Sequence, residues 1–306
     1  MRVSELLKQP GTHFSFEFFP PKTEKDSLAL FETIKELFPI SPSFVSVTYG
    51  AGGTTSELTQ DLVILLQQKT PLTMVAHLTA VGASREEIRL QVERYVQAGI
   101  ENILALRGDP PQNVENFAPA PDGFKYAAEL VAFIKQYFPN MDIGVAGYPE
   151  GHPETPNRLK EMDYLKVKVD AGAAYICTQL FFDNHDYYDF CERCELAGIK
   201  IPIIAGIMPV TSARGMKRMA DLAMGARIPA KLLRAVQRAE SDDAVEKIGV
   251  HWATEQVFDL YDHNVSGVHF YTLNRSIATL KIYETLGMSL GEAWRIPNLL
   301  KDKKEK

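Results

Sequence analysis

Cysteine is scarce. The chain of 306 residues holds three, an odd number that excludes a disulfide framework and suits a reducing compartment. Long apolar runs are absent, so no stretch reaches the length of a membrane span. The opening MRVSELLKQPG lacks the apolar core of a secretory signal. These absences predict a cytoplasmic protein with no membrane partner. Positive charge is not in excess either. The net charge is -6 and the pI about 5.7, which argues against nucleic acid as a main partner. No G-x-G-x-x-G turn marks a dinucleotide fold, no H-x-x-x-H pair suggests a metal, and no lysine closes a strand as a Schiff base would need. Cys191 and Cys194 spell C-x-x-C, but on a predicted helix among charged residues with no second pair nearby, so a metal or redox role carries little weight.

What is present is the balance of a globular protein, 45% hydrophobic and 24% charged residues. One stretch stands out, HFSFEFFPPK at 13–22. A strand alternates its side chains between two faces. Phe14, Phe16 and Phe18 then share a buried face, while Ser15, Glu17 and Phe19 share the other. A carboxylate set there is costly unless it is paired or protonated. Glu17 reads equally as half of a structural ion pair or as a working acid.

The rest of the chain alternates. Strands are predicted at 44–49, 73–78, 102–106, 142–148, 174–179, 202–207 and 268–273. Helices fall between them, among them 24–37, 84–98 with a Ser84/Glu87 capping box, 126–138, 158–171, 184–197, 213–224, 230–239, 243–262 and 275–286. Eight strands in strict alternation with helices predict a parallel sheet closed as a (β/α)8 TIM barrel. With no internal repeat and no linker, residues 1–306 read as one α/β domain. Residues 1–12 are then an N-terminal extension, and 301–306 a charged tail expected to be disordered.

In such barrels the site lies at the C-terminal ends of the strands. Those ends carry Glu17, Thr48, His77, Arg107 with Asp109, Tyr148 with His152, Gln179, and Tyr271 with Arg275. Alternation places Ser46 with Thr48, Ala105 with Arg107, and Cys177 with Gln179 on the inward face. A lone histidine such as His77 is more often a structural hydrogen-bonder than a ligand. Arg107, His152 and Lys168 suit phosphate contacts, and Gly108 allows close backbone approach. Tyr126, Tyr148 and Tyr271 suit flat rings, although each alone reads as a rim residue. Glu17, Asp109 and Gln179 suit the donor-acceptor edge of a heterocycle. Together the set predicts a large planar cofactor with phosphates and a second aromatic substrate.

SFEFFPPK, FVSVTYGAGG, AHLT, ALRGDPP, AGYPEGHP, CTQLFFD, AGIMPV and HFYTLNR together resemble, in order and spacing, the catalytic barrel of the methylenetetrahydrofolate reductase family in its short microbial form. The resemblance runs over residues 14–290. It implies a flavoprotein with non-covalent FAD that reduces 5,10-methylenetetrahydrofolate, taking hydride from NADH or NADPH in a ping-pong sequence, and a homo-oligomer. It places Glu17 at the catalytic acid. It places Thr48, Tyr49, His77, Arg107, Gly108, Asp109, Tyr126, Ala127, Tyr148, His152 and Lys168 at FAD positions. Glu17, Asp109, Gln179, Tyr271 and Arg275 fall at folate positions. The chain departs from the family pattern at Glu161, Tyr164 and Val167, toward the adenosine end, and at Gly215 and Met219, toward the folate tail. A folate-dependent methyltransferase barrel and a non-catalytic binding barrel are the rival readings. A yellow purified protein separates both from the reductase.

Overall fold

The computed structural model describes residues 1–21, 23–49, 56–108, 120–152, 154–155, 157–223 and 226–287. Eight strands pair side by side in chain order, every pair parallel, and the last closes onto the first. They are β1 (His13–Phe18), β2 (Phe44–Val47), β3 (Met74–Thr79), β4 (Asn102–Leu106), β5 (Asp142–Gly147), β6 (Tyr175–Thr178), β7 (Ile203–Ile207) and β8 (Gly267–Tyr271). A short helix α1 (Val3–Leu6) precedes the barrel. Around it run α2 (Glu24–Leu37), α3 (Ser56–Lys69), α4 (Arg85–Gln97), α5 (Ala127–Tyr137), α6 (Arg158–Asp170) and α7 (Asn184–Leu196). They continue as α8 (Ala213–Leu222), α9 (Ala230–Arg238), α10 (Asp242–Asp262) and α11 (Ile277–Thr285). The expected (β/α)8 barrel is therefore the fold, with two extra helices between β7 and β8. No described helix is long and apolar enough to cross a membrane.

Local chemistry sets the helix starts. The Ser84 hydroxyl accepts from the Glu87 N–H, and the Glu87 carboxylate accepts from the Ser84 N–H at 2.7 Å, closing the capping box before α4. Asn157 caps α6 by accepting from Leu159 and Lys160.

Parallel strands covered by helices are buried on both faces. Outward side chains, including Phe14, Phe16, Phe18, Val45, Ile103, Ala105 and Phe270, fill the shell between barrel and helices. Inward ones divide by height. Phe44, Val75, Leu104, Tyr175 and Ile204 pack below with Val3 and Leu7 from the chain start. The Val3 N–H donates to Asn102 Oδ1, and the Ser4 N–H and hydroxyl both donate to the Asp142 carboxylate, each at 2.8 Å. Residues 3–7 thus stopper the N-terminal end of the barrel, a role that their sequence did not suggest. Above this apolar plug the inward layer turns polar, with Ser15, Glu17, Ser46, His77 and His269 all buried. The polar layer faces the C-terminal mouth, where the strand-end residues collect.

Two inward assignments change. Leu104 belongs to the inner cluster and Leu106 packs against it, while Ala105 lies in the outer shell. Phe19 does not share the inward face with Glu17. It is 40% exposed past the end of β1, where its N–H donates to Asn274 Oδ1 at 2.8 Å.

Candidate active site

Glu17 is 6% exposed and stands in register with Ser46 on β2 and Tyr271 on β8. Phe16 and Phe18 point outward, away from it, as the alternation predicts. Two imidazoles converge on one carboxyl oxygen. His77 Nε2 lies 3.4 Å and His269 Nε2 3.6 Å from Glu17 Oε2. Burial drives the His77 pKa down, Glu17 pulls it back up, and His269 adds a smaller downward push. Burial also raises the Cys177 thiol and the Tyr271 phenol, with the Glu17 charge acting in the same direction. The Tyr271 hydroxyl donates to the Thr178 carbonyl at 2.6 Å. The groups around Glu17 are thus imidazoles, a thiol, a phenol and hydroxyls, and no lysine or arginine among the described residues pairs with it.

Beside this layer opens a cavity of about 770 Å³, walled by the ends of β4 and β5 and by α5 and α6. Arg107, Gly108, Tyr126, Ala127, Tyr148, His152, Lys168 and Gln179 all line it. Gly108, at φ +78°, turns the chain out of β4, and a Cβ there would lie 2.7 Å from Val81. Lys168 Nζ donates to the Ala146 carbonyl at 2.7 Å, and burial brings its pKa down to about 8 against the pull of Glu161. Glu161 is itself buried; it accepts from the His152 N–H at 3.1 Å, and burial raises its pKa. Arg107 Nη1 donates to Glu154 at 2.6 Å across the opening. The Tyr148 and His152 rings meet edge to face at 4.7 Å. Tyr164 and Val167 also line the wall, 59% and 55% exposed. Such a wall offers cations, ring faces and hydrogen-bond donors to a long ligand that carries both phosphates and flat rings.

Thr48, Tyr49, His77 and Arg275 do not line this wall. Thr48 follows β2, and His77 lies within β3, two residues before its end. Thr48 Oγ1 and His77 Nε2 are both buried without a hydrogen-bond partner among the described residues. Tyr49 packs on the outer shell. Arg275 is exposed after β8, and its backbone N–H donates to the Thr272 carbonyl at 2.9 Å. Gln179 Oε1 accepts from the Leu180 N–H at 2.9 Å. Met219 is buried in a separate cluster with Leu180, Met208 and Val210, while the Gly215 N–H caps back to Ser212. Asp109 lies outside the described residues. Cys191 and Cys194 are free thiols in and beside the core, where burial raises their pKa to about 11 and about 12. Ser15 shares the face of Glu17 as expected, and His269, which no strand-end reading picks out, is turned inward by the same alternation that turns Tyr271 inward two residues later.

A family model for methylenetetrahydrofolate reductase matches residues 2–287. The chain is 39% identical to the 5,10-methylenetetrahydrofolate reductase of Salmonella typhimurium over 92% of its own length and 93% of that chain. It is 38% identical to methylenetetrahydrofolate reductase (NADH) 1 of Arabidopsis thaliana, where it covers 99% of its own length and 54% of the plant protein. The chain thus spans about half the length of the plant relative and nearly all of the bacterial one. A solved structure from Clostridium thermocellum, of a protein that binds two copies of 5-methyl-5,6,7,8-tetrahydrofolic acid, shares the fold. It superposes with a TM-score of 0.65 at 16% identity, over 92% of this chain and 95% of that one. With the family model covering the whole barrel and the bacterial relative matched nearly end to end, the chain belongs to the methylenetetrahydrofolate reductase family.

Proposed function

We propose that the protein reduces 5,10-methylenetetrahydrofolate to 5-methyltetrahydrofolate with hydride from NADH or NADPH, by way of non-covalently bound FAD, and that Glu17 is the general acid. One observation carries this reading: a buried carboxyl faces the barrel axis beside a cavity of about 770 Å³ lined with cations and aromatic rings.

The residues present fit FAD. Arg107 and Lys168 supply cations for its two phosphates, and Gly108 clears space for the backbone to approach. Tyr126, Ala127, Tyr148 and His152 offer faces for the rings and ribose. The Thr48 hydroxyl, buried without a hydrogen-bond partner among the described residues, is a polar atom that a bound group would satisfy. When bound, FAD accepts hydride from the nicotinamide and delivers it to the one-carbon unit of the folate. Glu17 gives a proton to the folate nitrogen that must leave its methylene bridge. Gln179, Tyr271, Arg275 and Asp109 orient the pterin and its tail. A homo-oligomer accords with the same family reading.

The test is optical. The purified protein, given FAD, is expected to show an oxidised-flavin spectrum that NADH or NADPH bleaches and 5,10-methylenetetrahydrofolate restores. A protein that stays colourless with added FAD overturns the reading.

Lys168 supplies a second prediction. Its pKa is about 8 in the folded chain against 10.5 for a free lysine, so the folded state binds fewer protons between those values. Stability therefore rises with pH across that window. The cost of the buried cation is complete below about pH 8 and gone by 10.5. Lys168→Met is expected to stabilise the FAD-free protein at pH 7 by about 1–2 kcal/mol, the loss of its bond to Ala146 taking back part of the gain. The advantage should fade as pH approaches 10.5. The same variant should bind FAD more weakly by a factor of about 10 or more. Urea unfolding at two pH values and flavin fluorescence titration check the two halves. Equal stability of the two proteins at pH 7 would show that the ammonium is not desolvated.

A further inference from the structure

His269 is 1% exposed, sits below Glu17 on the adjacent strand, and has no part in the roles assigned so far. Its ring is clamped. Phe44 stacks on it at 5.7 Å with planes 15° apart, and Tyr271 meets it edge-on at 5.4 Å. Its two nitrogens face different partners. Nδ1 lies 2.7 Å from the Ser15 hydroxyl. Nε2 lies 3.3 Å from the Ser46 hydroxyl and 3.6 Å from Glu17 Oε2.

The neighbours of the ring favour one tautomer. At 2.7 Å the Ser15 hydroxyl can donate to Nδ1, or accept from it and donate to the Val268 carbonyl at 3.4 Å. The other nitrogen discriminates, because Nε2 faces the acceptor Glu17 Oε2. A ring proton on Nε2 is directed toward Ser46 and Glu17 and leaves Nδ1 to accept from Ser15.

We propose that His269 is a positioning residue for Glu17, its tautomer held by Ser15 so that an N–H faces carboxyl oxygen Oε2 and the acid proton is presented from the other oxygen, Oε1. The proposal rests on the reductase reading above. Among the described residues no hydrogen bond engages Oε1, whereas His77 and His269 both converge on Oε2. Donors at one oxygen make it the carbonyl oxygen of the acid. When the folate C–N bond breaks, its electron pair stays on the nitrogen, and that nitrogen takes the Oε1 proton. Glu17 is left as a carboxylate, and the Nε2–H already aimed at Oε2 meets the new charge. Separations of 3.4–3.6 Å are contacts rather than hydrogen bonds in the resting site, and catalytic bonds of this kind tighten as charge develops. Solvent returns the proton afterward.

The groups that face this pair are His77 from β3, Cys177 from β6 and Tyr271 from β8, with the hydroxyls of Ser15 and Ser46. The proposal is tested on the FAD-loaded protein by stopped-flow absorbance, with the two half-reactions followed separately, and by ¹⁵N NMR of histidine-labelled protein. His269→Phe keeps the packing but removes the N–H. It is expected to slow folate-driven flavin reoxidation by about 10- to 100-fold at saturating folate, with little change in half-saturating folate. Reduction by NADH or NADPH should stay within about twofold. His269→Gln, whose amide N–H reaches the same place, should recover most of the rate. Ser15→Ala should slow the folate step by about 3- to 10-fold while changing no residue near the mouth. In the wild type, the ring signals lost in His269→Gln should show the proton on Nε2, and Ser15→Ala should shift them toward a mixture.

A ring proton on Nδ1, equal slowing of both half-reactions in His269→Phe, or a Gln variant no faster than Phe would overturn the proposal. If His269→Phe fails to fold, Ser15→Ala and the NMR spectrum decide alone. A wild-type protein whose reduced flavin ignores the folate would instead remove the reductase reading, and the NMR result would still judge the tautomer.

Discussion

Glu17→Gln is expected to slow the folate half-reaction by a factor on the order of 10²–10⁴, about 3–5 kcal/mol of barrier, and to leave flavin reduction by NADH or NADPH nearly untouched. The asymmetry follows from the chemistry. Methylenetetrahydrofolate holds its one-carbon unit between two nitrogens, and one of them must leave before hydride arrives. It leaves better protonated. Hydride transfer from a nicotinamide needs no such proton. Glutamine keeps the shape of Glu17 and its place between His77 and His269, but carries no acidic proton. The barrel layer around it is packed and polar, so the substitution is not expected to unfold anything. Stopped-flow absorbance of the flavin reads each half-reaction separately. Equal slowing of both would mark Glu17 as structural, and an unchanged folate step would remove it from the mechanism.

Gly249→Ala should have the largest effect on stability. Seen as sequence, the change looks favourable, since alanine is better than glycine inside a helix by about 1 kcal/mol. Gly249 lies in the interior of α10, and the structure reverses the sign. A Cβ at Gly249 would lie 1.8 Å from the Val210 carbonyl oxygen and 2.6 Å from its carbon. Both are backbone atoms of the segment after β7, and no rotamer change moves them. Val210 and Val245 belong to the cluster that ties α8 and α9 to the barrel, and Tyr271 packs against the same cluster. The helix must move outward and open that cluster. The expected loss is about 3 kcal/mol or more, or a melting temperature lower by roughly 5–10 °C. Calorimetry of the FAD-free protein measures it. A melting temperature equal to that of the wild type would mean that α10 does not press on Val210 as described.

Much of the site was legible because strand ends in a parallel barrel share one mouth. Arg107, Tyr148, His152, Lys168 and Gln179 come together at one cavity, as their positions after strands or on the following helix suggested. The nearest neighbours of Glu17 were not legible in the same way. Ser15 and His269 are 254 residues apart and meet only because β8 closes onto β1. Likewise the sequence points Lys168 at a phosphate but carries no sign of its desolvation. Only the fold around Ala146 shows that its ammonium is desolvated.

By itself the sequence determined the alternation of eight strands and the helices between them, the capped start of α4, the family, and the carboxylate at the centre of the barrel. These are local periodicities and residue identities, and they survive without knowledge of neighbours. Tertiary structure alone decided which face of each strand turns inward where both faces are apolar. NILAL in β4 is the plainest case, since Ile103 and Ala105 are as apolar as Leu104 and Leu106. A period of two divides a strand into two faces but does not say which one lies inside. Closure of the barrel settles that, and with it the placing of residues 3–7 beneath the polar layer and of two imidazoles against Glu17.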